Sequence, residues 1–480
     1  MTSVQVDQHD AGNEAVSDPA EGGEGYKRGL GSRQIQMIAI GGAIGTGLFL
    51  GAGKGIAKAG PSLILAYAVA GLVIFVIMRA LGELLMYRPV SGSFSEYARE
   101  FIGPFAGFVT GWTYWLFWVI TGMTEVTAAA TYMTYWWNIP QWVSALVFTL
   151  ILYGANLISV KLFGELEFWF SMVKVTAIVG MILICAGILT IGFSDAGDTA
   201  SVTHLWDKGG FFAGENGIGS TLMTLQMVMF AFLAVELVGV TAGESKDPKK
   251  VLPKAINTVP WRIAVFYVGA LIMILSVVPW TEFEAGKSPF VEAFSKMGLA
   301  AGAGIVNFVV LTAALSSCNS GMYSTGRMLR DLALNGQGPS FFTKLTRNGL
   351  PLIGTSVSAA MMLVGVWINY QWPGEAFNYV VSFATISGMW AWIVILICQI
   401  RYRLRSDRGE LPVSEFRAPG GVWASALALA FIAMVIVLMG IDKDARVSLY
   451  AAPVWGVVLG VSYFFLRKRN PQSAAFAKRA

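Results

Sequence analysis

From residue 34 onward the chain is a succession of apolar runs of roughly 20 residues or more, each long enough to cross a hydrocarbon core of ~30 Å as a helix. Inside lipid every backbone N–H and C=O must find its partner within the protein, so this feature confines the spanning part to helices or a closed barrel. Runs this long and continuously apolar read as helices, and about twelve can be placed. They fall near 34–54, 61–86, 105–134, 141–160, 168–193, 219–243, 257–280, 303–330, 352–371, 376–401, 421–440 and 447–466. Charge is correspondingly sparse: Lys, Arg, Asp and Glu make up 13% of 480 residues, where a soluble domain carries about 25%. The expected fold class is an all-α integral membrane protein, which disfavours a soluble enzyme, a nucleic-acid binder and a disordered scaffold.

Residues 1–26 are polar, acidic and Gly-rich and carry no apolar core behind a basic start, so they read as neither signal peptide nor span. Residues 1–33 are expected to be a disordered cytoplasmic tail, 34–466 the membrane domain and 467–480 a basic cytoplasmic tail. Orientation follows from the basic residues, which accumulate on cytoplasmic loops. They cluster at Lys27, Arg28 and Arg33, between Lys246 and Lys254, between Arg401 and Arg417, and at Arg467 to Arg469. The opposite loops carry fewer, among them Lys54, Lys58, Lys208 and Lys287. Both termini are therefore expected inside, and the net charge of +5 follows from topology without a nucleic-acid partner. Trp136, Trp137, Trp142, Trp280 and Trp372 fall at outer edges, where aromatic side chains anchor in the interface. Cys185, Cys318 and Cys398 lie in apolar stretches and form no disulfide framework or metal spacing.

The first apolar segment contains Gly41-Gly42-Ala43-Ile44-Gly45-Thr46-Gly47-Leu48-Phe49, with four glycines in seven positions. Each glycine inside a helix costs up to ~1 kcal/mol relative to alanine, so unwinding here is cheap. Such a run can also serve close helix packing, but its density and the Thr46 hydroxyl favour a break. A half-helix starting at the break offers free N–H groups and a positive dipole end to an anion. The sixth segment, five further on, carries Phe230-Ala231-Phe232-Leu233-Ala234-Val235-Glu236. Interrupted helices at corresponding positions of two halves point to a transporter with a midplane site, and a five-helix repeat forces the second copy to cross upside down.

Three charges fall near span centres, where each costs about 2.5–3.5 kcal/mol on insertion scales: Glu125, Lys174 and Glu236. They form either a structural ion pair or a proton-coupling set, because removal from water destabilises the charged form of carboxylates and amines. Glu83, Glu165, Glu167, Glu244, Lys246 and Asp247 fall at span ends or in loops and read as solvated, capping or gating groups. The eighth segment presents Thr312, Ser316, Ser317, Cys318, Asn319, Ser320 and Ser324, a face that lines a pathway or bonds neighbouring helices. His204 and His9 have no partner at metal-ligand spacing. No GxxxxGK[ST] loop is present, which argues against ATP-driven transport. No cofactor or metal is expected.

GGAIGTGLF (Gly41 to Phe49), RALGEL (Arg79 to Leu84), PVSGSF (Pro89 to Phe94), FGELEFWF (Phe163 to Phe170) and AGESKDPKKVLPKAIN (Ala242 to Asn257) together resemble the amino acid transporter branch of the amino acid-polyamine-organocation superfamily. The resemblance runs from Gly25 to about Arg469. It implies the leucine-transporter (LeuT) fold: a 5+5 inverted repeat, about 34–193 and 219–403, plus two peripheral helices at about 421–466. It also implies that the substrate carboxylate meets Ile44, Gly45, Thr46 and Gly47. The amino group would meet carbonyls around Phe230, Ala231 and Phe232, with Phe230 as an aromatic gate. Lys174 matches the lysine that stands where sodium-coupled relatives hold a cation, and Glu125 and Glu236 match acidic positions tied to coupling or recognition. Within the family, GKGIAKAGPSLI (Gly53 to Ile64), GWTYWLFWVITGM (Gly111 to Met123), HLWDKGGFF (His204 to Phe212) and KSPFVEAF (Lys287 to Phe294) look most like D-serine/D-alanine/glycine permeases. SEYAREF (Ser95 to Phe101) and VVLTAALSSCNSGMYSTGR (Val309 to Arg327) look like asparagine permeases. The implied function is proton-coupled import of small neutral amino acids across the cell membrane by alternating access, with D-alanine, D-serine and glycine favoured and L-asparagine the alternative. A passive channel is the rival from another class, set against by an occludable site in place of a continuous polar pore.

Overall fold

The computed structural model describes residues 21–22, 26–27, 44–89, 93–158, 160–194, 196–237, 248–373, 375–443 and 445–469. Most of the two tails, and residues 34–43 of the first apolar segment, lie outside this set. Apart from a two-residue antiparallel pair, Glu21–Gly22 with Tyr26–Lys27, the described structure is helical.

A helix occupies each of the expected segments. The first span is described from Ile44 and runs through Gly47–Gly51 and Ala52–Ala59. The second is Leu63–Tyr87, the third Pro104–Met133, the fourth Gln141–Asn156 and the fifth Val160–Ile191. The sixth is Ile218–Met223 and Leu225–Ala231 up to its break, and the seventh runs from Val259–Arg262 through Ile263–Gly269 to Ala270–Val277. Ala300–Leu334, Leu352–Gln371, Ala376–Asp407, Gly421–Ile441 and Arg446–Arg469 complete the set. Eight helices among the described residues are long and apolar enough to cross a membrane by length and composition. The third falls outside that set because its glycines, threonines and tryptophans dilute its hydropathy, although its 30 residues exceed the length needed. Its start is fixed by Gly103 at φ 143° followed by Pro104, a residue whose missing N–H is no loss at a first helical position.

Helices five apart in the chain pack on one another: the first on the sixth, the second on the seventh, the third on the eighth, the fourth on the ninth. That pairing is what two interlocked five-helix halves produce. The eleventh and twelfth spans lean on the tenth, and the twelfth is almost bare, with Tyr450, Val454 and Val457 each more than 60% exposed. In water such a face would be untenable; against lipid tails it is at home. Trp136, Trp137, Trp142 and Trp372 are also exposed, as anchoring side chains are.

The structure corrects two readings of span-end charges. Glu83 is 1% exposed. It accepts two hydrogen bonds from Arg403 at 2.7 Å, one from Gln399 at 3.0 Å and one from the Ala418 amide at 2.9 Å. It is therefore a paired, dry carboxylate tying the second span to the tenth and to the loop after it. Glu167 is likewise fully buried, because the fifth helix begins at Val160, eight residues before the apolar run does.

Candidate functional site

The first span begins its helix at Thr46, whose side chain makes no capping bond, so the amides after it are left to other partners. Two glycines matter sterically. A Cβ built on Gly45 would fall 2.6 Å from Glu125 Oε1 and 3.3 Å from Ser317 Oγ, and one on Gly47 would run into the Ala231 backbone. Gly45 thus admits a carboxylate against the backbone and Gly47 lets the two interrupted spans touch. Ile44 and Thr46 are fully buried. Residues 41–43 lie outside the described residues.

The sixth span stops at Ala231, and residues 232–236 form turns. Ala234 sits at φ 71°, the one non-glycine among the described residues in the left-handed region. An L-residue held there stores strain that the surroundings must offset. Tyr267 donates its hydroxyl to the freed Ala231 carbonyl at 3.2 Å. Phe230 meets Phe377 of the tenth span edge-on at 6.4 Å, and Phe232 packs against Tyr67 and Tyr267 at 5.8 and 4.8 Å. Glu236 accepts from Tyr114 and from Trp392, both at 3.1 Å, which fastens the break to the third and tenth spans. Its continuation, 238–247, lies outside the described residues.

A polar cluster fills the space between the first break and the eighth span. Lys174 donates to the Ile44 carbonyl at 3.1 Å and to Ser316 Oγ at 3.0 Å, and Ser316 donates to Glu167 Oε1 at 2.7 Å. Thr46 and Ser317 face Glu125 from the other side. Thr46 Oγ1 and Glu125 Oε2 are both buried there. Of the charges expected at the site, Lys174 and Glu125 come together at the first break, whereas Glu236 stands at the second among aromatic donors. Glu167 was missed. Its signal was available: it lies seven residues before Lys174, two turns along one helical face.

Toward the Lys58 end of the first span, sharing no lining residue with this cluster, a cavity of about 340 Å³ opens between the first, sixth and tenth spans, lined among others by Lys54, Lys58, Thr224, Met227, Ser382 and Thr385. That is within the ~300–1,000 Å³ of small-molecule sites. Lys54 donates to Asn378 and Lys58 pairs with Asp442, each at 2.9 Å, across its rim. No group of His, Cys, Asp and Glu able to hold a metal occurs among the described residues. His204, 7% exposed, has Asp207 at 4.0 Å.

Two interrupted spans meet where Gly47 touches the Ala231 backbone, a buried lysine is bonded at the head of the first, and apolar helices long enough to cross a membrane surround them. The profile of the family described as amino acid permease matches residues 34–474, and the chain belongs to that family. It is 46% identical over 453 residues, 94% of this chain and 97% of the other, to an uncharacterized amino acid permease, YtnA, of Bacillus subtilis. It is 46% identical over 450 residues, 93% and 90% of the two chains, to the L-asparagine permease of Escherichia coli. A third relative, the "Probable threonine/serine transporter YbxG" of Bacillus subtilis, shares 46% over 439 residues, 91% and 94% of the chains.

Proposed function

We propose that the protein is a proton-driven importer of small neutral amino acids, working by alternating access in the cytoplasmic membrane with both termini inside. The observation that carries this reading is the Lys174 amine bonded to the Ile44 carbonyl at the head of the first break. A fixed ammonium there fills the role a bound cation would fill, and protonation sets its charge. The substrate carboxylate binds the amides of Gly45, Thr46 and Gly47, favoured by the dipole of the half-helix. Its ammonium binds carbonyls at Phe230 to Phe232. The buried Thr46 hydroxyl and Glu125 carboxylate, which face one another at the same place, support a polar ligand, since polar groups are costly to bury without polar company.

The reading favours small side chains, supported by the close approach of the two interrupted spans at Gly47 and Ala231. D-alanine, D-serine and glycine are the preferred substrates. L-asparagine is a second reading, supported by the asparagine permease among the relatives. The test is uptake of labelled alanine into proteoliposomes with and without an inward proton gradient, in competition with glycine, D-serine, L-serine, L-asparagine and L-arginine. The proposal expects gradient stimulation and competition by the small amino acids. Uptake indifferent to the gradient would remove the proton, and strong inhibition by arginine would remove the neutral substrate class.

A further inference from the structure

We infer that Glu167 is the acceptor through which Lys174 discharges its proton toward the cytoplasm, with the Ser316 hydroxyl as the bridge. The role rests on the proton-coupled reading above and adds the route.

The hydrogen bonds run in one direction. Lys174 Nζ donates to Ser316 Oγ at 3.0 Å, and Ser316 Oγ donates onward to Glu167 Oε1 at 2.7 Å. All three residues are 0% exposed. A hydroxyl so placed takes a proton on one side as it gives one up on the other. Starting from ammonium and carboxylate, the transfer breaks one N–H bond and forms one O–H bond on Glu167. It leaves a neutral amine, an unchanged serine and a carboxylic acid. Net charge in the buried pair is zero before and after, so the step avoids creating an isolated charge in a dry site. Glu167 then yields the proton to the cytoplasm and returns to carboxylate.

Position agrees with direction. Lys174 lies mid-span at the first break, while Glu167 is two turns, roughly 10 Å, nearer the end of the fifth helix assigned to the cytoplasm. Beyond it Asn319 and Ser320 of the eighth span face Glu167, and Glu167 Oε2, Asn319 Nδ2 and Ser320 Oγ are all buried. Asn319 Oδ1 accepts from Asn156 at 2.8 Å, and Asn156 is the last residue of the fourth helix. A polar track therefore reaches from the Ile44 carbonyl to the cytoplasmic end of the fourth span. One turn from Glu167, Phe163 stacks on Tyr323 at 3.8 Å, with the Arg327 guanidinium over the same tyrosine at 3.4 Å. The charged groups around Glu167 are Lys174 on its own helix and, past the amine, Glu125 of the third span; the eighth span presents the neutral Ser316, Asn319 and Ser320.

A purely structural counter-charge would also be buried beside a lysine, and the experiment separates the two. Wild type, Glu167→Gln, Ser316→Ala and Ser316→Thr are reconstituted at matched protein. Gradient-driven uptake and gradient-free exchange are then read with an equimolar mixture of labelled glycine, alanine, serine and asparagine. Expected is a fall of at least about tenfold in gradient stimulation for Glu167→Gln and Ser316→Ala, exchange within about twofold of wild type, and recovery in Ser316→Thr. Stimulation retained in Glu167→Gln overturns the assignment, as does loss of exchange together with uptake in a well-folded variant. If Glu167→Gln does not reconstitute, the serine pair decides: equal stimulation in Ser316→Ala and Ser316→Thr overturns the relay. Wild type without gradient stimulation would fail the coupling reading itself, a result distinct from failure of the route.

Discussion

Gly45 and Gly47 show how a missing Cβ builds a site. At each, any side chain would meet Glu125 or the Ala231 backbone, so substitution changes the site before it changes the helix. Gly45→Val is expected to abolish binding of labelled alanine at normal membrane expression, since its side chain would collide with the Glu125 carboxylate, displace it from the break and oppose open backbone. Wild-type affinity in a well-expressed variant would move the site elsewhere. Ala234, at φ 71°, carries a different expectation. Ala234→Gly relieves strain of order 1 kcal/mol and should raise the melting temperature in detergent, while an unchanged or lowered value would mean that the surroundings bear no such load. The glycine run and the buried charges could be read from the sequence because their cost in lipid makes them conspicuous. Ala234 could not, since nothing in an alanine signals a left-handed backbone. Glu167 reads as a span-end group because it lies near the polar start of the fifth helix, although its seven-residue spacing from Lys174 marks a shared helical face.

At the scale of elements, the stretches of apolar sequence defined the helices well, because twenty apolar residues in lipid have few alternatives. Boundaries were less legible. The fifth helix starts at Val160 and the tenth runs on to Asp407, both past the apolar run, since helical hydrogen bonding continues into the interface where polar side chains find water. What joins elements was not legible at all. Glu83 and Arg403 lie 320 positions apart, and only the fold shows that they form a bidentate pair at 2.7 Å. Breaking one half of such a buried pair costs about 3–5 kcal/mol. Arg403→Ala is therefore expected to lower thermal stability in detergent strongly, and Glu83→Gln with Arg403→Met to recover much of it. A melting temperature unchanged in Arg403→Ala would show that the pair does not hold the second span to the tenth.

For the whole molecule, the pairing of helices five apart brings the two interruptions face to face, and a single lysine from the fifth span reaches the head of one of them. The central claim is that the charge on Lys174 couples proton movement to the alternation of these halves. Lys174→Ala removes the donor to Ile44, and Lys174→Arg substitutes a planar guanidinium that does not release its proton in proteins. The decisive measurement is labelled alanine uptake into proteoliposomes of matched protein content, with and without an inward proton gradient, for wild type and both variants. The account predicts that gradient stimulation disappears in Lys174→Ala and Lys174→Arg, even where some substrate binding survives. Wild-type stimulation in Lys174→Ala would contradict it.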